Sequence, residues 1–220
     1  MMICASITES DMDSMVRVAN LVSSDIVEIR LDYIRDFSCI ERLREIKKPL
    51  IATCMPKFEG GNFEGSEEER IALLLRAIEF SDYVTIELRT EKNLISKILK
   101  SAKRNGVKVI LAYHDFESTP DKEEIIKILR RQKALGGDIG KIAFMPKNYQ
   151  DVMNTMEVLF QRIGIPIIAI SMGRIGRISR VIGPILGSYL TFASPEKGKE
   201  SAEGQLTVEE LRKIMEILEG

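Results

Sequence analysis

The chain contains few histidines and cysteines, the residue types that form structural zinc sites and disulfide frameworks. Of its 220 residues, one is histidine (His114), three are cysteine and none is tryptophan. The cysteines, Cys4, Cys39 and Cys54, are odd in number and form no CxxC pair. This argues against a structural zinc site and a disulfide scaffold, and it fits reduced thiols in a cytoplasmic protein.

The chain also lacks an excess of charge of either sign. It has 32 basic and 33 acidic residues, a formal net charge of −1. Binding to nucleic acid or to an anionic membrane usually shows as a basic excess or a polybasic tail. No apolar run reaches transmembrane length, and the N-terminal "MMICASITES" lacks a basic region followed by a long apolar run. We therefore expect a cytoplasmic protein with neither nucleic acid nor a membrane as a partner.

Short apolar runs rich in β-branched residues recur along the chain. Near-continuous apolar character is typical of strands that are buried on both faces. The eight runs are 2–7, 26–31, 49–54, 83–88, 107–113, 139–145, 165–171 and 188–192. A helical pattern follows each of them, at 14–22, 39–46, 67–80, 93–105, 122–135, 149–163, 177–186 and 207–218. Capping residues stand before three of these helices, at Ser66, 119–121 and Thr207.

Strict alternation of strand and helix predicts a parallel sheet. Eight units of about 27 residues account for the whole chain, as in an α/β protein with a (β/α)8 TIM barrel. We predict one such domain over residues 1–220, because no linker interrupts the pattern. A doubly wound open sheet is the alternative, but it often carries GxGxxG after the first strand, where this chain reads "ITESDM".

One strand carries a charged residue in its middle. The run "IGKIAFM" places Lys141 among apolar residues, where burial of an ammonium group costs several kcal/mol unless the group is paired or neutral. A desolvated lysine has a depressed pKa and is a nucleophilic amine that can form a Schiff base with a carbonyl. If the barrel is right, Lys141 favours a functional interpretation over a structural one.

His114 follows the preceding strand, at the end where barrel active sites gather. A single histidine in this place is more often structural than catalytic. Sequential strands are usually neighbours, so His114 and Lys141 are expected to face one cavity. An imidazole can move the proton beside an imine near neutral pH. The residues thus indicate amine-catalysed enolisation, elimination or carbon–carbon cleavage, and no particular substrate.

Other polar residues lie near the predicted strand ends. Glu28 and Arg30 are two positions apart on one strand and therefore share a face. Glu87 and Arg89 are related in the same way, and for them a structural ion pair at the barrel mouth is the better interpretation. The phrase "GRIGRISR" puts three arginines near a helix N-terminus, which suits a carboxylate or a phosphate, although at least one of them is expected to be solvated surface. They are Arg174, Arg177 and Arg180.

Taken together, these segments resemble the type I 3-dehydroquinate dehydratases along nearly the whole chain. The matching phrases are "EIRLD" (28–32), "EGG" (59–61), "YHDF" (113–116), "KIAFMP" (141–146), "SMG" and "ISR" (within 171–180), "GSYLTF" (187–192) and "SAEGQ" (201–205). Each phrase is weak alone, and their order and spacing are highly specific. The resemblance implies a (β/α)8 barrel, dehydration of 3-dehydroquinate without metal or cofactor, and a homodimer.

The resemblance also implies roles for individual residues. Lys141 corresponds to the imine-forming lysine, His114 to the general base that later acts as acid, and Glu59 to the carboxylate that orients the histidine. Arg180 corresponds to the arginine that binds the substrate carboxylate. The remaining correspondences are ring-hydroxyl contacts at Glu28, Arg30 and Ser6, a closing lid with Ser201 and Gln205, and apolar lining at Met172 and Phe192.

Two positions depart from the family pattern. Met55 stands where an arginine is common, so one substrate contact is missing or is supplied by another residue such as Lys57 or Arg30. Glu203 stands in the lid where a proline is frequent, which predicts a less rigid loop and places a negative charge near an anionic substrate unless it points outward.

Two other functions remain open on the residues alone. A class I aldolase would share Lys141 but would often have a phosphate site after the last two strands, where "ASPEKGKESAEGQ" shows no clear glycine turn. A non-catalytic barrel that binds a small carboxylate or a protein would need neither a lysine within a strand nor His114.

Overall fold

The centre of the molecule is a sheet of eight parallel strands. The computed structural model describes the backbone of all 220 residues and every side chain except that of Glu219. The strands are β1 (Ile3–Ile7), β2 (Ile26–Arg30), β3 (Leu50–Thr53), β4 (Tyr83–Glu87), β5 (Lys108–Asp115), β6 (Ile139–Phe144), β7 (Ile167–Ser171) and β8 (Thr191–Ala193). They hydrogen-bond in the order β7-β6-β5-β4-β3-β2-β1-β8.

This sheet curls into a nearly closed barrel. The last strand, β8, pairs with the first, β1, in parallel. Across the remaining edge, the backbone N–H of Tyr189, just before β8, donates to the carbonyl of Ile167 on β7 at 2.8 Å. The amide of Ala169 on β7 donates to the Ser188 hydroxyl. The prediction of a (β/α)8 barrel is confirmed, and the open-sheet alternative is wrong.

Helices alternate with the strands around the barrel. They are α1 (Met12–Leu21), α2 (Glu67–Ala77), α3 (Lys92–Asn105), α4 (Lys122–Ala134), α5 (Tyr149–Glu157), α6 (Gly173–Gly176), α7 (Ser179–Ile185) and α8 (Val208–Glu219). Capping boxes begin α2 at Ser66 and α8 at Thr207, and Asp121 caps α4. Among the described residues no helix is both long and apolar enough to cross a bilayer.

Several predicted elements differ from the structure at their ends, and one differs in type. The helix predicted at 149–163 ends as an α-helix at Glu157, and the strand predicted at 107–113 continues through His114 to Asp115. The segment 39–46 contains a 3-10 helix (Ile40–Glu45) instead of an α-helix. Its buried residues, Ile40 and Leu43, are three apart and therefore lie on one edge of a 3-10 helix. The last strand starts at Thr191 rather than at 188, because Ser188 and Tyr189 bond to β7 before the strand begins.

The barrel interior divides into an apolar lower part and a polar upper part. Inward residues of the lower part are Cys4, Ile26, Ile51, Ile110, Ile139, Ile168 and Leu190. Below them the hydroxyls of Tyr83 and Tyr189 hydrogen-bond at 2.8 Å. Because this lower part is filled with side chains, the space for a ligand lies at the C-terminal ends of the strands.

Candidate active site

A pocket opens at the C-terminal ends of the strands and contains most of the predicted site residues. The predicted residues that line it are Ser6, Glu28, Arg30, His114, Lys141, Met172, Arg180, Phe192, Ser201 and Gln205. Glu59 lies behind His114 and contacts it directly. The lining also includes Thr53, Thr85 and Glu87, which sequence reasoning did not assign to the site.

Lys141 projects into this pocket from the middle of β6. Only 7% of the residue is exposed, and its neighbour on β5 is the small Ala112. Its Nζ lies 3.9 Å from Oε1 of Glu28 and 4.0 Å from the centroid of the Phe192 ring. Burial lowers the pKa of the Lys141 amine, and the charge of Glu28 opposes that shift. A larger fraction of the amine is therefore neutral and nucleophilic than in an exposed lysine.

Two hydroxyl groups fix the carboxylate of Glu28 beside this amine. Ser6 donates from Oγ at 2.7 Å, and Thr53 donates from Oγ1 at 2.9 Å. The Thr53 hydroxyl also lies 3.0 Å from that of Thr85, so the network spans the inner faces of β1 to β4. These hydrogen bonds hold the carboxylate in place beside the amine, where it can balance a positive charge on Lys141.

The imidazole of His114 is held by Glu59. Oε2 of Glu59 lies 2.9 Å from the backbone N of His114 and 2.8 Å from its Nδ1. A protonated Nδ1 that donates to the carboxylate leaves Nε2 as an acceptor. Burial lowers the pKa of His114, and the hydrogen bond to Glu59 opposes this. Burial alone would raise the pKa of Glu59, but the bonds and charges of His114 and Arg89 bring it below its usual value.

Arg180 on α7 is a buried guanidinium at the other side of the pocket. Only 2% of it is exposed, and it donates to the carbonyls of Gly204 (3.1 Å) and Phe192 (3.2 Å). Burial and the nearby Arg177 lower its pKa to about 10. A cation that costs this much to bury is suited to an anionic ligand. Arg174 and Arg177 are exposed, as expected of a solvated surface.

The segment 201–205 forms one wall of the pocket through Ser201, Ala202 and Gln205. The backbone N–H of Ser201 donates to the Gln205 side chain at 2.8 Å, and Gln205 Nε2 lies 3.0 Å from the Ser201 hydroxyl. Gly204 has a φ of +79°, and a Cβ there would lie 2.2 Å from the carbonyl oxygen of Gly173. Glycine is therefore required for the close approach. Glu203 is exposed and does not line the pocket.

Arg30 is fixed by a partner that sequence reasoning missed. Its Nε and Nη2 bind the two carboxylate oxygens of Asp32 at 2.8 and 2.6 Å. The phrase "EIRLD" contained this signal, since Asp32 follows Arg30 by two residues. Met55 lines the pocket close to this pair, and its backbone N–H donates to Asp32. Lys57 pairs with Glu64 on the surface instead, so of the two suggested substitutes only Arg30 faces the pocket.

The predicted pair of Glu87 and Arg89 is wrong, because each binds a different partner. Arg89 binds Glu59, whereas Glu87 Oε2 accepts from Arg70 on α2 at 2.7 Å. The other oxygen of Glu87 is buried and has no hydrogen-bond partner. Burial raises the pKa of Glu87 to about 7, against the charge of Arg70. The sequence does not reveal this role of Arg70, because within the helical pattern 67–80 nothing distinguishes it from a surface arginine.

Arg70 is a strong candidate for a stability determinant. It is fully buried and also donates to Glu67, Thr90 and the carbonyl of Cys54. We expect Arg70→Met to lower the free energy of unfolding by about 3–5 kcal/mol, because it leaves a buried carboxyl without its partner. Denaturant unfolding measures this, with Arg76→Met on the exposed face of α2 as the control. A loss below about 1 kcal/mol would contradict this assignment.

The pocket combines three chemical groups that act on carbonyl compounds and anions. A buried amine can form an imine with a ketone, and an imidazole with a free Nε2 can take a proton from the adjacent carbon. A buried guanidinium can bind a carboxylate. Among the described side chains no cluster of three or more His, Cys, Asp or Glu residues is arranged to hold a metal ion.

Comparisons with known proteins match the sequence and the architecture of this chain. Residues 3–220 match the family model of the type I 3-dehydroquinases. The 3-dehydroquinate dehydratase of Methanococcoides burtonii is 43% identical over 203 residues, covering 89% of this chain and 85% of that protein. That of Methanocaldococcus jannaschii is 38% identical and covers 99% of both chains. The crystal structure of 3-dehydroquinate dehydratase from Geobacillus kaustophilus superposes with a TM-score of 0.90 at 29% identity, covering 99% of this chain and 91% of that one. The chain therefore belongs to the type I 3-dehydroquinase family.

Proposed function

We propose that this chain is a hydro-lyase that dehydrates 3-dehydroquinate to 3-dehydroshikimate in the shikimate pathway, through an imine on Lys141. Membership of the family and the names of the curated relatives support the overall reaction. The observation that carries the imine step is the position of Lys141, a buried amine in the middle of a strand that faces the pocket. Burial on this scale has a physical cost that a nucleophilic role explains.

The first step joins the amine to the substrate ketone. The neutral amine of Lys141 attacks the carbonyl carbon to form a neutral carbinolamine. Its hydroxyl group takes up a proton from solvent and leaves as water, so that a positively charged iminium remains. The carboxylate of Glu28, 3.9 Å from Nζ, stabilises this positive charge. The iminium withdraws electrons from the adjacent C–H bond, so that its proton becomes acidic enough for an imidazole to remove.

His114 then transfers the same proton twice, first as a base and then as an acid. Nε2 takes the proton from the carbon beside the iminium, and the electron pair of that C–H bond forms an enamine. The enamine expels the hydroxyl group one carbon further, and the imidazolium returns its proton to the departing oxygen as water. Glu59 stabilises the imidazolium between these two events through Nδ1. Hydrolysis of the imine releases the enone product and restores the amine of Lys141.

The remaining site residues bind and enclose the substrate in this proposal. Arg180 pairs with the substrate carboxylate, and Ser201 and Gln205 close the lid over it. Glu28, Arg30 and Ser6 contact the ring hydroxyls, and Met172 and Phe192 supply apolar walls, as their places in the pocket allow. Arg30, fixed by Asp32, provides charge near Met55, where the family commonly has an arginine.

We also infer that residues 1–220 form one domain that works as a homodimer. The strands extend from Ile3 to Ala193, and α8 packs back near β1, so the barrel uses the whole chain. The dimer is suggested by the family alone and stays a prediction, as does a cytoplasmic location. Sedimentation equilibrium distinguishes the dimer, at about twice the 24.9 kDa chain mass, from a monomer.

Reductive trapping tests the imine directly. We expect 3-dehydroquinate with borohydride to give a covalent adduct, located on Lys141 by peptide mass spectrometry, and substrate without borohydride to give the ultraviolet absorbance of the enone. Quinate, which has no ketone, is the matched control and should give neither signal. No adduct and no enone would refute the proposal. An adduct without enone would instead indicate another Schiff-base reaction, such as that of an aldolase.

A further inference from the structure

Arg89 binds both members of the Glu59–His114 pair from outside the pocket. It lies two residues beyond the end of β4, and 41% of its side chain is exposed. Nε donates to Oε1 of Glu59 at 2.5 Å, and Nη2 donates to the backbone carbonyl of His114 at 2.7 Å. The guanidinium also lies over the ring of Tyr113, 5.0 Å from its centroid. Arg89 does not line the pocket itself.

These contacts divide the two oxygens of Glu59 between two partners. Oε1 accepts from Arg89, whereas Oε2 lies within hydrogen-bond distance of both the backbone N and Nδ1 of His114. The carboxylate cannot turn without breaking one of these bonds. A guanidinium is planar, so its two bonds to Glu59 and to the His114 carbonyl also fix the distance between them.

We infer that Arg89 is a positioning residue that acts through Glu59 to keep the imidazole of His114 in the tautomer with Nδ1 protonated and Nε2 free to face the pocket. This inference rests on the proposed function in one respect, because the tautomer matters for turnover only if His114 is the base of the dehydration. The geometry on which it stands is independent of the substrate. A residue that acts through hydrogen bonds to a carboxylate and a carbonyl should affect the proton chemistry of His114 more than the binding of substrate.

The positive charge of Arg89 predicts the direction in which the pKa values of Glu59 and His114 shift when Arg89 is replaced. The charged groups that face His114 are Glu59, Lys141 and Glu28, and those that bind or face Glu59 are His114, Arg89 and Glu87. Arg89 adds positive charge to this set, and it lowers the pKa of Glu59. Removal of that charge raises the pKa of Glu59 and of His114 together. Turnover needs a neutral His114 and a charged Glu59. The fall of kcat on the acidic side of the pH profile should therefore occur at a higher pH in the variant.

His114 can be observed without interference, because it is the only histidine in the chain. We expect the imidazole NMR signals of Arg89→Met to titrate on the order of half a pH unit higher than in the unmodified protein, and its ¹⁵N shifts to show a loss of the single tautomer. Arg89→Lys keeps the charge but not the planar fork, so the midpoint should stay while tautomers mix. Arg89→Gln, which lacks the charge but can still donate, is the second uncharged variant if methionine prevents folding.

Kinetics supply the second measurement. In Arg89→Met we expect kcat to fall about tenfold, KM to stay within about twofold, and borohydride to trap as much imine as before. Arg76→Met is the control, since Arg76 also binds a carboxylate and a carbonyl, far from the pocket. An unchanged His114 titration in Arg89→Met would overturn the inference even if the chain is a dehydratase. If the unmodified protein gives no adduct and no enone, the proposed function fails, and the titration still decides the role of Arg89.

Discussion

Replacement of Lys141 by methionine is expected to lower kcat for 3-dehydroquinate by about 10⁴-fold or more, because no imine can form. Methionine has a similar length and can keep the contact with the Phe192 ring. It also removes an ammonium that is costly to bury, but it leaves the buried carboxylate of Glu28, held by Ser6 and Thr53, without that counter-charge, so the two effects on stability oppose each other and the fold should stay intact. Enone absorbance measures turnover, and thermal unfolding measures stability.

An exposed lysine provides the control for this substitution. Lys127 on α4 pairs with Glu124 at the surface, and Lys127→Met should leave turnover unchanged. Borohydride trapping of the Lys141→Met protein should give no adduct. Appreciable turnover by that variant, with the fold intact, would show that the reaction does not pass through an imine on this residue.

Replacement of His114 by alanine is expected to separate the two halves of the reaction. The imine should still form, because Lys141 keeps its burial and its contact with Glu28. Proton removal and return should then be slowed, and kcat should fall by about 10³- to 10⁴-fold. Mass spectrometry after borohydride reduction measures the first half, and enone formation measures the second.

The His114→Ala result distinguishes a proton carrier from a structural residue. A structural histidine would lower stability and imine formation together, whereas a proton carrier lowers only the later steps. Normal turnover in the variant would contradict the assignment of His114 as base. The carboxylate of Glu28 lies 3.9 Å from Nζ of Lys141, and Glu28 would then be the first alternative base to examine.

The sequence predicted the barrel, and it predicted that Lys141 and His114 face one pocket, for clear physical reasons. Strands buried on both faces are apolar throughout, so a lysine in the middle of one is conspicuous by its cost. The fold could be inferred because alternation and spacing are repeated eight times along the chain. His114 was conspicuous as the only histidine, and its position at the end of the fifth predicted strand placed it beside the strand that carries Lys141.

The ion pairs of the site could not be predicted in the same way. Glu59 and Arg89 are 30 residues apart, and Arg70 and Glu87 are 17 apart, on different elements. Which carboxylate an arginine binds depends on distances set by the whole barrel, and periodicity along one strand holds no information about them. The helix predicted at 39–46 failed for a related reason, since its conformation depends on packing against α1 and α2 rather than on its own pattern.

The pairing of the strands also differs around the pocket. His114 and Lys141 are carried by β5 and β6, which are joined by six paired residues, whereas β8 pairs with β1 through three. β7 and β8 stand at the two ends of the hydrogen-bonded order, and Arg180 ties the carbonyl of Phe192 on β8 to that of Gly204 in the closing segment. The segment 201–205, which we propose as the lid, is thus tethered to the least paired strand. Because β5 and β6 pair directly with each other and not with β8, movement of this segment can leave the distance between the amine of Lys141 and the imidazole of His114 unchanged.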